Sequence, residues 1–378
     1  MSRKKILITI DWFLPGTNSG GPVRSYANLI EHLNDGFEFL IVTRNTDFGS
    51  TSPYENITPN TWTAFNDYTK VFYCSDQYLT RANLKSLLAD TQFDLAYING
   101  IYSWYFSILP ILLIKDQPII VSARGMLNSQ AFSVKASKKK AFIKLANLIG
   151  FYKNVSFHAT NPEEASSIKS LITNYRNVVV APNFPRKIES SSKTVPAKGN
   201  PIRFVNMARI SVEKGTLHML KAFQGLAQPS TLDLYGPIYD KAYWEKCQTI
   251  IAILPSHLIV NYKGVLASEE VPRTLCQYDY FILLSEGENF GHAILEALSV
   301  GLPVLISDQT PWRHLAAKRV GWDLHLNKQE DILEAFNMAV EMSNEDYREW
   351  SESAYGYAKD FIENPDVVEQ NKALFTNH

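Results

Sequence analysis

Short unbroken apolar runs, each followed by a helix-length segment or a loop, recur along the whole chain. KILITI, FEFLIV, FDLAYI, PIIVSA, VSFHA and NVVVA occupy the first half; IRFVNMA, TLDLYG, LIVNYKG, YDYFILLS and PVLISD occupy the second. Continuous rather than alternating hydrophobicity marks strands covered on both faces, and segments between them such as RSYANLIEHL carry a helical period. This pattern restricts the chain to an α/β architecture built on parallel sheet. At 378 residues the chain is too long for one ordinary core. The stretch RKIESSSKTVPAKGNP, Arg186 to Pro201, is rich in Ser, Lys and Pro and nearly lacks large apolar side chains, as a linker does. The expected organisation is one α/β domain over 1–185, a linker over 186–201 and a second α/β domain over 202–350.

Composition narrows the function. A net charge of -1 argues against a general nucleic-acid binder, which would be basic overall. Three cysteines, Cys74, Cys247 and Cys276, are odd in number and far apart, which excludes a disulfide framework or a structural zinc site and fits a reducing cytoplasm. The opening MSRKKILITIDWFLPG has too short an apolar run for a signal peptide, and Asp11 falls where a cleavage region should be neutral. The longest apolar stretch, FSILPILLIKDQPIIVSA, is broken by Lys115, Asp116 and two prolines, so no membrane span is expected.

SEGENFGHAILEALSVGLPVLISD sets Glu286, Glu288 and Glu296 inside what reads as a buried core. Buried carboxylates need partners. YDYFILLS reads as a strand, EGENFG as a turn, and HAILEALSV as a helix ending at Gly301. The helix then starts at the C-terminal end of a parallel strand, where open α/β sheets bind ligands. Its first amides near Gly291 favour an anion. A carboxylate on its flank can accept hydrogen bonds from two adjacent sugar hydroxyls. An anionic, polyhydroxylated ligand of this kind is a nucleotide sugar. Two other readings stand beside it: Glu288 as a helix cap with Glu296 in solvent, and a glycoside hydrolase carboxylate pair. Eight mostly helical residues separate such a pair by roughly 10 Å or more, against about 5–5.5 Å for a retaining hydrolase.

ENFGHAILEAL resembles the E-x7-E signature of the retaining GT-B glycosyltransferases of family 4, the glycosyl transferases group 1, and SVGLPVLISD follows it as in that family. The resemblance extends over nearly the whole chain. It implies a GT-B fold: α/β, with two Rossmann-like parallel-sheet domains facing each other across a cleft. The first domain would bind acceptor and the second the nucleotide sugar, with helices in 351–378 packing back toward the first domain. The glutamates in register are Glu288, which would hold donor-sugar hydroxyls, and Glu296, which would hold the ribose. Asn289, Phe290, Gly291 and His292 lie between them on the donor side.

Other segments fit the same expectation. NMARISVEKGTLHML places Arg209 and Lys214 at the end of the second domain's first strand, where two cations would neutralise a diphosphate; the family shows the same R-x4-K-G pattern. Gly20 and Gly21 precede a helix and permit close backbone approach to phosphate or sugar, but they do not form G-x-G-x-x-G. Relatives often carry His-Gly where this chain has Arg124-Gly125 and Asn99-Gly100. Arg124 retains a charge for phosphate but cannot act as acid or base near neutral pH. LIVNYKGVLASEEV puts Tyr262 and Lys263 where the family approaches the nucleobase, and TPWRHL, with Trp312 and His314, receives no role. No Asp-x-Asp occurs, and no His or Asp spacing suggests a metal site, so neither metal nor cofactor is expected.

Between Gln117 and Pro162 there is no Asp or Glu, while Arg124, Lys135, Lys138, Lys139, Lys140, Lys144 and Lys153 accumulate. KASKKKAFIKLANLIGFYKN mixes these lysines with apolar residues at helical spacing, which suits an anionic membrane surface or simply a packed helix with a solvated basic face. Asn99, Lys138, Lys139, Lys140 and Lys144 are therefore the acceptor or membrane candidates. The resulting expectation is a retaining, metal-independent hexosyltransferase. It would transfer sugar from a nucleotide-diphosphate donor to a glycan or polyprenyl-diphosphate-linked acceptor in O-antigen, capsule or exopolysaccharide synthesis. Its place would be the cytoplasm, extending to a peripheral one on the inner face of the plasma membrane. A GT-B-like sugar-nucleotide epimerase and a non-catalytic carbohydrate-binding relative are the alternatives.

Overall fold

The structure, a computed structural model, describes residues 3–128, 136–187 and 198–377. Most of the linker expected over 186–201, and Lys135, lie outside these residues. The chain divides into two compact units, Met1–Phe184 with Pro365–His378, and Pro185–Asn364.

The strands run in chain order β1 (Lys4–Thr9), β2 (Phe37–Arg44), β3 (Trp62–Asn66), β4 (Thr69–Cys74), β5 (Leu95–Asn99), β6 (Ile119–Ser122), β7 (Val155–Ala159) and β8 (Asn177–Val180) in the first unit. The second holds β9 (Ile202–Met207), β10 (Ser230–Tyr235), β11 (Leu258–Gly264), β12 (Tyr280–Leu283), β13 (Val304–Ser307) and β14 (Gly321–Leu324). The first unit is an eight-stranded sheet ordered β3-β4-β2-β1-β5-β6-β7-β8, parallel except that β3 pairs antiparallel with β4. Because successive side chains alternate faces, Ile6 and Ile8 enter one buried layer and Leu7 the other. The helix Gly21–His32 contributes Tyr26, Leu29 and Ile30 to the Ile6 layer, and the helix Pro365–Thr376 contributes Val367, Leu374 and Phe375.

The second unit is a six-stranded parallel sheet ordered β11-β10-β9-β12-β13-β14. Phe204 packs on one face of it and Val205 on the other. In both units the chain starts near the middle of the sheet, builds outward on one side, then crosses to the other. The reversal falls between β1 and β5 in the first unit and between β9 and β12 in the second. Connections on the two sides leave to opposite faces there, so a crevice opens at the C-terminal strand ends, where open α/β sheets take ligands.

The two sheets carry every strand read from the apolar runs. The β3–β4 hairpin and β14 were not anticipated. β3 is an edge strand with no buried residue, its turn at Asp67-Tyr68 has neither Gly nor Pro, and β14 is four residues long.

Candidate functional site

The second unit's crevice is built by the loops after β9 and β12. After β9 the chain passes Arg209, turns through a short 3-10 helix Val212–Lys214, and enters the helix Thr216–Gln224 at Gly215. Gly215 has φ +69, and a Cβ there would stand 1.7 Å from the Leu284 carbonyl oxygen. Only glycine lets this loop lie against the end of β12. The contact is fixed by a Glu286 N–H donating to Glu213 O at 2.9 Å. With the loops so joined, Lys214 Nζ donates to Glu288 Oε1 at 2.5 Å, across 74 residues of sequence. The two side chains are only 18% and 12% exposed. This pair answers what the carboxylate-rich stretch is matched with.

Glu288 is held from its other side, its N–H donating to Gln309 O after β13 at 3.0 Å. Phe290 O accepts from Trp312 Nε1 at 2.6 Å, and the two rings meet edge to face. That bond anchors the turn to TPWRHL, the segment that received no role from sequence. The helix His292–Ser299 begins at Gly291, which has φ +80 and no side-chain cap. Its far end closes in a Schellman pattern: Leu302 N–H donates to Ala297 O and Gly301 N–H to Leu298 O, with Gly301 at φ +80. Ile294, Leu295, Ala297 and Leu298 are buried, while His292 and Glu296, four residues apart, share the less buried face.

Arg209 and Lys214 were expected as two cations awaiting a diphosphate. Each is already matched. Arg209 Nε donates to Glu213 Oε1 at 2.9 Å, and its guanidinium lies 5.2 Å from the centre of the Tyr239 ring. Burial would raise the Glu213 carboxyl, but hydrogen bonds from backbone and the Arg209 charge carry it below the usual range. A phosphate entering this crevice would share or displace these carboxylates. Glu213 was missed in the sequence because only the folded turn brings it onto Arg209.

Tyr262 and Lys263 lie on the edge strand β11. Tyr262 OH donates to Gly236 O at 2.9 Å, and Lys263 Nζ is 3.6 Å from the Asp233 carboxylate. They serve the β10 end of the crevice and are separate from the Lys214–Glu288 pair. Gly236, at φ +137, lets that end close on the Arg209 loop, since a Cβ there would meet Ala208 O at 2.2 Å.

The first unit places Gly20, Gly21, Asn99 and Arg124 at the C-terminal strand edge. Gly20 has φ +75, and neither glycine has anything within 4 Å of where a Cβ would sit, so the helix Gly21–His32 starts beneath open space. Asn99 ends β5, buried, its Oδ1 without a partner. Arg124 follows β6 at φ +52. Its guanidinium packs 4.7 Å from the Tyr26 ring centre, donates to Asn183 Oδ1, and donates to Tyr97 OH at 3.3 Å. Tyr97 OH in turn donates to His158 Nδ1 at 2.5 Å, and His158 Nε2 donates to Ala181 O at 2.8 Å. Burial, reinforced by the Arg124 charge, holds the His158 imidazole neutral, its pKa lowered to about 3. Arg124 is thus a largely buried cation seated on Tyr26, Tyr97 and Asn183, with Nε unmatched; the buried Glu164 carboxyl, which accepts from the neighbouring Gly125 N–H at 2.6 Å, is close enough to favour its charge.

Asp11, just past β1, also lies at this edge and was read in the sequence only against a signal peptide. It accepts from Ser103 Oγ at 2.9 Å and faces Arg44 Nε at 3.6 Å. Burial pushes its carboxyl above the usual range despite the opposing pull of Ser103 and Arg44. Lys138, Lys140 and Lys144 are exposed on the helix Ala136–Leu148, and the Lys139 ammonium lies 5.7 Å from the Tyr102 ring centre. Among the described residues no group of three or more His, Cys, Asp or Glu side chains is placed to hold a metal ion.

Solved structures share the fold of this chain over nearly their full length. Sucrose-phosphate synthase from Thermosynechococcus elongatus superposes with a TM-score of 0.76 at 15% identity, covering 100% of this chain and 99% of that one. Anabaena Alr3699/HepE, solved with UDP and glucose, gives 0.72 at 16% identity and 100% of both chains. WaaG, a glycosyltransferase involved in lipopolysaccharide biosynthesis, gives 0.69 at 13% identity, over 99% of this chain and 100% of that one. The fold is GT-B. Within it, residues 187–357 match the family model described as glycosyl transferases group 1, a segment holding both loops of the second unit's crevice. Sulfoquinovosyl transferase SQD2 of Arabidopsis thaliana is 30% identical over 101 residues, which is 27% of this chain and 18% of that protein. The chain therefore matches under a fifth of that relative's length. The group 1 match covers under half of this chain.

Proposed function

We propose that this GT-B protein transfers a sugar, with retention of anomeric configuration and without a metal, from a nucleotide-diphosphate donor to a glycan or polyprenyl-diphosphate-linked acceptor. The observation that carries this reading is the Lys214–Glu288 pair beside Arg209, at the crevice of the second sheet and the start of the helix His292–Ser299. Breaking a glycosyl–phosphate bond moves negative charge onto the diphosphate as the sugar becomes oxocarbenium-like. Lys214, Arg209 and the uncapped amides after Gly291 are fixed donors for that charge, and stabilising it is the main catalytic lever. Glu288, immobilised by Lys214 and Gln309, accepts donor-sugar hydroxyls and holds the anomeric carbon for attack by the acceptor on the face that the diphosphate leaves, a positioning effect able to lower a barrier by several kcal/mol. Glu296, on the less buried face of the helix His292–Ser299, takes the ribose hydroxyls. A donor phosphate oxygen takes the acceptor proton, which removes the need for a protein base.

The HepE structure holds UDP and glucose, which supports a nucleotide sugar as donor. The involvement of WaaG in lipopolysaccharide biosynthesis supports surface polysaccharide as the product class. The location proposed with it is the cytoplasm, peripheral on the inner face of the plasma membrane. The test is incubation with UDP-, GDP-, ADP- and dTDP-sugars plus free or polyprenyl-linked glycan in EDTA, with the product's anomeric coupling read by NMR. Product of the donor's own configuration, lost in Glu288→Gln, supports the proposal. Inverted product, or activity restored only by added magnesium, contradicts it, and conversion of the donor sugar without acceptor indicates an epimerase.

A further inference from the structure

The helix Ala136–Leu148 does not bury its whole apolar content. Ile143 and Ala146 enter the first unit's core, at 5% and 3% exposure. On the other side Leu145, Leu148 and the following Ile149 are 57%, 84% and 62% exposed. At 3.6 residues per turn Leu148 falls roughly opposite Ile143 and Ala146, at the centre of the outward face. Lys140 and Lys144 follow one flank of that centre, at the i−8 and i−4 positions, and Lys138 stands on the other flank beside Leu145. All three of these lysines are exposed, as is Lys153 just beyond the helix. None of the four has an acidic partner among the described residues, and no Asp or Glu occurs between Gln117 and Pro162. The helix is held firmly: Phe142 meets Tyr102 edge to face, and Tyr102 also receives the Lys139 ammonium. Trp104, two residues on from Tyr102, is 49% exposed.

Helix propensity favours leucine but does not account for three neighbouring apolar side chains facing solvent, and contiguous exposed apolar groups mark an interaction surface. The charge around them selects the partner. A face whose centre is Leu and Ile and whose rim is lysine alone is complementary to a surface with an apolar interior beneath negative headgroups. No described helix is long and apolar enough to cross a membrane, so such a face would lie on the bilayer and not span it.

We propose that Leu145, Leu148 and Ile149, rimmed by Lys138, Lys140, Lys144 and Lys153, dock the first unit onto an anionic lipid bilayer. This deepens the membrane location proposed above and does not depend on the transfer reaction. The apolar residues enter the headgroup boundary while the lysine stems extend along it to the phosphates. Each lysine near an anionic surface contributes about fivefold in affinity, so three together are worth roughly a hundredfold, screened by salt.

The full chain is sedimented with vesicles of 3:1 dioleoylphosphatidylcholine and dioleoylphosphatidylglycerol, and with vesicles of dioleoylphosphatidylcholine alone, at 50 and 500 mM NaCl. Expected are binding to the anionic vesicles at low salt, a fall of tenfold or more at high salt, and little binding to the neutral ones. Lys138→Glu/Lys140→Glu/Lys144→Glu should lower binding a hundredfold or more, and Leu145→Ser/Leu148→Ser at least tenfold, with unchanged melting temperatures because every altered side chain is solvent-facing. Equal binding to both vesicle types, no binding to either, or unchanged binding by the variants overturns the proposal. So does a wild-type dimer in solution that Leu145→Ser/Leu148→Ser dissolves, since the face would then be an interface between copies. Because no sugar transfer is measured, failure here leaves the reaction proposed above standing, and failure of that reaction leaves this test intact.

Discussion

Neutralising Lys214 and Glu288 singly and together tests whether they act as a matched unit. The two side chains are 18% and 12% exposed and meet at 2.5 Å. Lys214→Met leaves Glu288 largely desolvated without its cation, and Glu288→Gln leaves the ammonium in the same position. Removing one partner of a fully buried pair costs about 3–5 kcal/mol. The residual exposure here lowers the expectation to about 2–3 kcal/mol for each single change. The double variant carries no uncompensated charge, so its loss should be no larger than either single loss. The coupling energy is then about 2 kcal/mol, well outside the ~0.3–0.5 kcal/mol scatter of independent sites. For a unit of this size each kcal/mol moves the melting temperature by about 2–4 °C. Each single variant should therefore melt roughly 4–12 °C low in calorimetry, with the double variant recovering part of that difference. If the two losses simply add, the groups are independent and the pair does not organise the crevice. All three variants should lose transfer by about a hundredfold or more, since charge stabilisation and sugar positioning each contribute at that scale.

Three further outcomes follow from named contacts. Gly215→Ala places a Cβ 1.7 Å from Leu284 O at φ +69, so the loop must move; we expect a loss of about 2 kcal/mol or more by calorimetry and weaker nucleotide binding by titration. Asp279, fully buried, accepts from the Gly199 and Arg203 amides and from the Arg203 guanidinium, so Asp279→Ala should cost about 3 kcal/mol in urea unfolding of the second unit. His158, at a folded pKa of about 3 against 6.5 for the free side chain, binds a proton in the unfolded chain first. Stability it contributes above pH 6.5 is lost as pH falls, by about 2–3 kcal/mol near pH 4.5, and His158→Gln should flatten that slope in urea midpoints measured from pH 7 to 4.5.

The architecture was legible because a doubly covered parallel strand must be apolar, and eleven apolar runs could be read directly, even where the strand lies at a sheet edge and is little buried, as β8 and β11 do. The β3–β4 hairpin was not: its outer strand is half solvated, so it lacks the signal that identified the others. In the site, Arg209, Lys214, Glu288 and Gly291 could each be picked out from their places at strand and helix ends together with the family resemblance of the segments that carry them. That Lys214 and Glu288 bind each other could not, because their meeting depends on Gly215 lying against Leu284 O, a contact between chain segments about 70 residues apart. Likewise the family resemblance made Arg124 legible as a cation in place of a histidine, but its seat of Tyr26, Tyr97 and Asn183, with Glu164 nearby, is assembled from separate parts of the chain. Asp11 carried no motif; only burial beside Ser103 and Arg44 marks it.

The central claim is that the second unit's crevice binds a nucleotide diphosphate through Arg209 and Lys214. Thermal unfolding with UDP, GDP, ADP and dTDP and their sugar conjugates, all in EDTA, measures it directly. A nucleotide at ~100 times its dissociation constant should add about 2.7 kcal/mol to the native state, roughly 5–10 °C. We expect one nucleotide to give that shift in the wild type and a markedly smaller one in Arg209→Ala. No shift with any of them, or an equal shift in the variant, would contradict the assignment of this crevice to the donor.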